Sequence, residues 1–163
     1  MSYEHNRMSH DAGAALLTQI RKNKASWVLR ERLTQQTIYW QGFSDWPRPD
    51  IAFQDSRTKS TIAIEFKPPG QAKREYITGI GQAFAYLKDF EFSALIVPLK
   101  TEDGFDIANY IKSCLEQDYA TMIPIALFAY KKDPAYNNDL IPLIELRPRS
   151  HPPTSKQGKR RVE

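Results

Sequence analysis

The sequence predicts an α/β domain, a mixed sheet flanked by helices, and three observations carry that prediction. Apolar residues recur at helical spacing in three stretches: near the N-terminus, over residues 72–89, and over residues 104–117. Between and after them lie short segments rich in β-branched and aromatic residues, bounded by Pro, Gly, Asp and Ser. Their order is helix, three strands, helix, strand, helix, strands. It combines hairpins with crossovers, and therefore antiparallel with parallel pairing.

Each element has a local reason. Residues Ser9 to Gln35 read as helical, in one piece or two, with Ala12, Ala15, Leu16 and Ile20 and then Trp27, Val28 and Leu33 as the apolar positions. Thr37 to Trp40 reads as a first strand, and residues 42–49 are punctuated like a turn. Ile51 and Phe53 alternate with Asp50 and Ala52 in a second strand, and a polar turn over 55–60 leads to a third from Thr61 to Lys67. Pro68-Pro69-Gly70 must end it, because proline has no N–H to continue a ladder. Ala72 to Asp89 returns to helical spacing, with Tyr76, Ile80, Ala83 and Leu87 on one side. A buried-type strand follows at Ser93 to Val97, then an amphipathic helix from Gly104 to Gln117, then strands at Met122 to Tyr130 and Ile141 to Leu146. From Pro148 the composition turns to Pro, Ser, Lys and Arg, so the expected division is a domain over 1–146 and a basic flexible tail or linker over 147–163.

Composition excludes several classes. A chain of 163 residues is long enough for one real hydrophobic core. The longest apolar runs are four to six residues, too short to span a bilayer, and the first residues lack the apolar run of a secretory signal. A cytoplasmic or nucleoid-associated location, with no membrane partner, is the expectation. Cys114 falls in step with Ile107, Ile111 and Leu115, as a buried structural thiol would. His5, His10 and His151 lie near the two ends and form no close ligand pair, which argues against a His/Cys zinc site. The net charge of +4 belongs to the tail: residues 147–163 hold six Lys or Arg and one acidic residue, leaving 17 basic and 18 acidic residues elsewhere. Such a tail adds nonspecific attraction to phosphate, as any solvated basic terminus would.

The chemistry concentrates in Pro49-Asp50 and in Glu65-Phe66-Lys67. Alternation along 61–67 points Ile62, Ile64 and Phe66 one way, and Ala63, Glu65 and Lys67 the other. Asp50 shares its face with Ala52. If the two strands pair across the turn at 55–60, two carboxylates and a lysine converge where small alanines leave room. Magnesium takes hard oxygen ligands, commonly one or two carboxylates with waters and substrate phosphates. Asp50 and Glu65 suit that role, with the Phe66 carbonyl as a further ligand, and Mn2+ able to substitute. Lys67 would orient a water or stabilise charge on a phosphate, and a lysine ammonium is a poor first choice as general base. A Glu-x-Lys alone is more often a solvated strand face. The preceding Pro-Asp, the apolar opposite faces and the alanines argue for a site.

These residues resemble the PD-(D/E)xK nuclease superfamily, which includes restriction endonucleases and Holliday junction resolvases. The resemblance rests on Pro49-Asp50, Glu65-Phe66-Lys67 and the order of elements from about Ser9 to Pro98, and the final third lies outside it. It implies a restriction-endonuclease-like fold, magnesium on Asp50 and Glu65, and an attacking water assisted by Lys67. Gln82-Ala83-Phe84-Ala85-Tyr86 is similar to a Gln-x-x-x-Tyr element of many members, making Gln82 a catalytic candidate and Tyr86 a supporting one. Many members also use a first-helix glutamate. Glu4 precedes the predicted helix here and Glu31 lies within it, which favours Glu31. The implied function is a magnesium-dependent DNA endonuclease, of restriction type, with a junction resolvase or a non-catalytic DNA-binding domain as alternatives. No recognition motif is present, so specificity is expected from loops, a homodimer, or an additional specificity domain or subunit.

Overall fold

The computed structural model describes residues 3–21, 37–39, 47–55, 59–131 and 143–147. They form a six-stranded mixed sheet in sequential order, from β1 to β6, with helices on both faces. The strands are β1 (Thr37–Tyr39), β2 (Ile51–Asp55), β3 (Thr61–Phe66), β4 (Phe92–Pro98), β5 (Ala126–Tyr130) and β6 (Leu143–Arg147). The helices are α1 (Tyr3–Arg21), α2 (Lys73–Ala85) and α3 (Ile107–Leu115), with 3₁₀ turns at Tyr86–Lys88 and Asp118–Met122. β1, β2 and β3 pair antiparallel, β3, β4 and β5 pair parallel through α2 and α3, and β6 returns antiparallel to β5. The predicted mixed sheet flanked by helices is the fold observed.

Strand alternation builds two apolar layers. Ile62, Ile64 and Phe66 of β3, with Phe92, Ala94 and Ile96 of β4 and Phe128 and Tyr130 of β5, pack under Met8, Ala12 and Leu16 of α1. Leu95, Val97, Leu127 and Ala129 face the other way and meet Tyr76 and Ala83 of α2 and Ile107, Ile111 and Leu115 of α3. A strand buried on both faces reads as a continuous apolar run, which is why 93–97 lacked alternation. No described helix is long and apolar enough to cross a membrane.

Several boundaries differ from expectation, each for a local reason. α1 begins at Tyr3 rather than Ser9, because Met8 already belongs to its buried stripe and the Ser9 hydroxyl closes back on the His5 carbonyl at 2.8 Å. Residues 22–36, including Glu31, lie outside the described residues, as do Trp40, Trp46 and residues 148–163. α3 starts later than Gly104, since Asp106 caps it by accepting the Asn109 N–H at 3.3 Å. Met122 belongs to a 3₁₀ turn and β5 begins only at Ala126, two residues past Pro124. Cys114 is half-buried, beside fully buried Ile111 and Leu115.

Arg147, expected in the tail, is instead the buried last residue of β6. Its guanidinium donates to the carbonyls of Thr121 at 3.1 Å, Ile123 at 2.8 Å and Ile125 at 2.6 Å, closing the turn that enters β5. Burial pulls its pKa below the usual arginine value. Arg147→Met keeps the apolar stem but strands three carbonyls, and should lower unfolding free energy by about 2–4 kcal/mol in urea titration. A loss under about 0.5 kcal/mol, the scale of ordinary surface substitutions, would show that the guanidinium contributes no structure.

Candidate active site: a buried carboxylate and lysine cluster

Asp50 directly precedes β2. Its N–H reaches the Ile64 carbonyl at 3.1 Å, and its Oδ2 accepts the Phe66 N–H at 2.8 Å. The side chain thus acts as a strand carbonyl would, one step beyond the end of regular pairing. Glu65 lies near the end of β3, and Lys67 just past it, still donating its N–H to the Ile96 carbonyl at 2.9 Å. Alternation places both on the face of Ala63, beside Ala52 of β2 and Tyr86.

On this face the polar groups close into one network. Glu65 Oε1 is 3.0 Å from Lys67 Nζ, and its Oε2 accepts a hydrogen bond from the Tyr86 hydroxyl. That hydroxyl also lies 3.1 Å from the Arg48 carbonyl oxygen. Lys67 Nζ donates to Gln82 Oε1. Gln82 and Tyr86 are one turn apart where α2 gives way to its 3₁₀ extension, so a single helix end holds both charged partners. Glu65 is only 5% exposed and Lys67 8%, so each charge depends on its neighbours rather than on water.

The carboxylates resist ionisation. Burial raises the pKa of Glu65, the Asp50 charge raises it further, and the Tyr86 and Lys67 hydrogen bonds offset part of the rise. Burial likewise raises Asp50, against the Phe66 N–H and the charges of His5 and Lys67. Burial, then the Glu65 charge, holds the Tyr86 hydroxyl far above its usual range, so it stays a proton donor to Glu65. Two neighbouring carboxyl groups, Glu65 buried and Asp50 half-buried, present the oxygen donors that a hard divalent cation takes. Among the described residues, however, no group of three or more His, Cys, Asp or Glu gathers as a metal cluster. Any ion here would rest on two carboxylates, main-chain oxygen and water.

Gly79 sets how closely α2 lies on the sheet. A Cβ there would meet Leu95 Cδ1 at 2.7 Å and Lys67 Cε at 3.0 Å. The small residue lets the lysine stem pass beneath the helix to Gln82.

The structure brings together Asp50, Glu65, Phe66, Lys67, Gln82 and Tyr86 from the sequence reading. Glu31 lies outside the described residues, and Glu4 lies in α1. His5, set aside in sequence as a terminal histidine, meets Phe66 edge-on at 5.9 Å between ring centroids and acts electrostatically on Asp50. Its Nδ1 is 3.5 Å from Ser9 Oγ. The missing signal was the early start of α1, which a stripe beginning at Met8 would have revealed.

Fold and site together define a mixed α/β domain with a buried carboxylate–lysine cluster, an architecture generically compatible with nuclease folds. No protein-family model matches the chain, and no curated protein is significantly similar to it.

Two measurements probe this geometry. A raised folded-state carboxylate pKa means that the native state holds its proton longer, so stability falls as pH rises above the ordinary value of 4.5. In metal chelator, Glu65→Gln should therefore gain melting temperature over wild type at pH 8, and the gap should narrow towards pH 4.5, as wild-type Glu65 takes up its proton. A gap independent of pH, or reversed, would refute the electrostatic account. Gly79→Ala should lower unfolding free energy by about 1–3 kcal/mol through overpacking against Leu95, and a neutral outcome in the same titration would show that α2 can move away freely.

Proposed function

We propose that this domain is a magnesium-dependent DNA endonuclease, a phosphodiester hydrolase of restriction type. The observation supporting this reading is the convergence of the Asp50 and Glu65 carboxylates beside Lys67, all held by hydrogen bonds on a face lined by alanine. Asp50 and Glu65, with the Phe66 carbonyl, would hold the ion. When bound, magnesium neutralises charge on a scissile phosphate and lowers the pKa of a coordinated water. Lys67 donates hydrogen bonds towards the phosphate or the attacking water, where charge develops in the transition state. Gln82 orients Lys67, and Tyr86 orients Glu65 by donating to its Oε2. Sequence choice would come from a second copy of the chain or an additional domain or subunit, and the basic residues after Arg147 would add salt-sensitive attraction to DNA.

A non-catalytic DNA-binding domain is the second reading, favoured by the absence of a three-ligand cluster among the described residues. Cleavage decides between them. Purified protein should nick plasmid DNA with magnesium, and Asp50→Ala should abolish cleavage while the folded circular-dichroism spectrum remains. Lys67→Ala should reduce the cleavage rate by about a hundredfold or more, with a smaller loss of DNA affinity measured in calcium. Binding without cleavage on duplexes, four-way junctions and single strands would establish the second reading. Equal losses of rate and affinity in Lys67→Ala would make Lys67 a phosphate anchor.

A further inference from the structure

β3 and β4 run parallel, and their pairing aligns Phe66 with Ile96. In this ladder Lys67 donates to the Ile96 carbonyl at 2.9 Å, and its own carbonyl would next receive the N–H of residue 98. Residue 98 is proline and has none. A carbonyl at this depth without a donor costs stability. The donor comes from one strand further on: the Tyr130 hydroxyl reaches the Lys67 carbonyl at 2.8 Å, from 63 residues away in sequence. Tyr130 is 2% exposed and pairs with Pro98 in the β4–β5 register. Its ring stacks on Phe66 at 5.3 Å and 23°, which fixes where the hydroxyl points. The next carbonyl, of Pro68, is taken by the Tyr76 hydroxyl at 3.1 Å, which also accepts the Gln71 N–H at 3.1 Å.

We infer that Tyr130 is a positioning residue for Lys67, acting through its main chain from the opposite face of the sheet. The Lys67 side chain faces α2, whereas Tyr130 lies in the α1 layer with Phe66. The hydroxyl meets Lys67 at its main-chain carbonyl, not at its ammonium. It holds the peptide after Lys67 in the plane that a ladder bond would have imposed. With the peptide held, the ammonium is aimed between Glu65 Oε1 and Gln82 Oε1. Without it, Pro68 and Pro69 leave the strand end with no ladder donor of their own, and the lysine stem turns with its backbone.

This inference rests on the nuclease reading for its kinetic test, and a second readout is independent of activity. Tyr130→Phe keeps the ring and its stacking and removes only the hydroxyl. In the full chain it should lower kcat for magnesium-supported cleavage about tenfold to a hundredfold, with KM and calcium-supported DNA affinity within about twofold of wild type. In a Lys67→Met background the same substitution should cause no further loss, because the group it positions is already gone. Phe128→Leu, in the same layer of β5, controls for destabilisation and should lower the melting temperature while leaving kcat in place. Wild-type kcat in Tyr130→Phe, or an equal fold-loss in the Lys67→Met background, overturns the inference. If the wild-type chain cleaves no DNA, the nuclease reading fails and solvent exchange of the Lys67 ammonium protons, followed by NMR, decides the positioning role. Faster exchange in Tyr130→Phe but not in Phe128→Leu supports it, and unchanged exchange overturns it.

Discussion

Burying the Glu65 carboxylate is the constraint on which the site and its surroundings depend. An ion removed from water costs several kcal/mol unless partners satisfy it. Here both oxygens are used, one by Lys67 and one by Tyr86. Those partners come from different elements, so β3 and the end of α2 must meet at a set distance. Gly79 permits the approach, and the Ser93 hydroxyl secures it by donating to the Ala83 carbonyl at 2.7 Å across the β4–α2 contact. The packing of one helix on the sheet is thereby tied to the electrostatics of one side chain. The balance is incomplete, since burial and Asp50 still push Glu65 towards its neutral form. A fold optimised for stability alone would place an apolar residue here. An ionisable group placed where burial works against its charge is the physical argument for function.

The site occupies the end of the sheet where prolines interrupt it. Pro49 precedes β2, Pro68 and Pro69 follow β3, and Pro98 ends β4. Each removes an N–H from the pairing at the same end, because β2 runs antiparallel to β3 while β4 runs parallel. Side chains take over the exposed main-chain groups: Asp50 accepts from Phe66, Tyr130 donates to Lys67, and Tyr76 donates to Pro68. Regular structure stops abruptly there without leaving the strand ends loose. A carboxylate that serves as a surrogate strand partner is also held rigidly.

The sequence alone determined the residue types, their faces and the elements that carry them. Alternation over 61–67 separated Glu65 and Lys67 from Ile64 and Phe66, and four-residue spacing put Gln82 and Tyr86 on one ridge, because both periods follow from backbone geometry within a single element. Turn residues likewise marked the ends of β3 and β4. The tertiary structure alone decided which of these groups touch. Which oxygen of Glu65 meets Lys67, that Tyr130 replaces the bond Pro98 cannot make, that His5 of α1 reaches the Asp50 end of the sheet, and that Arg147 closes the turn before β5 all depend on strand order and register. Apart from the Glu65–Lys67 pair, these contacts join residues 22 to 63 positions apart, and no local period encodes them. Hydrophobic patterning states which face of an element is buried, whereas strand neighbours and helix approach are settled only when all faces are packed together.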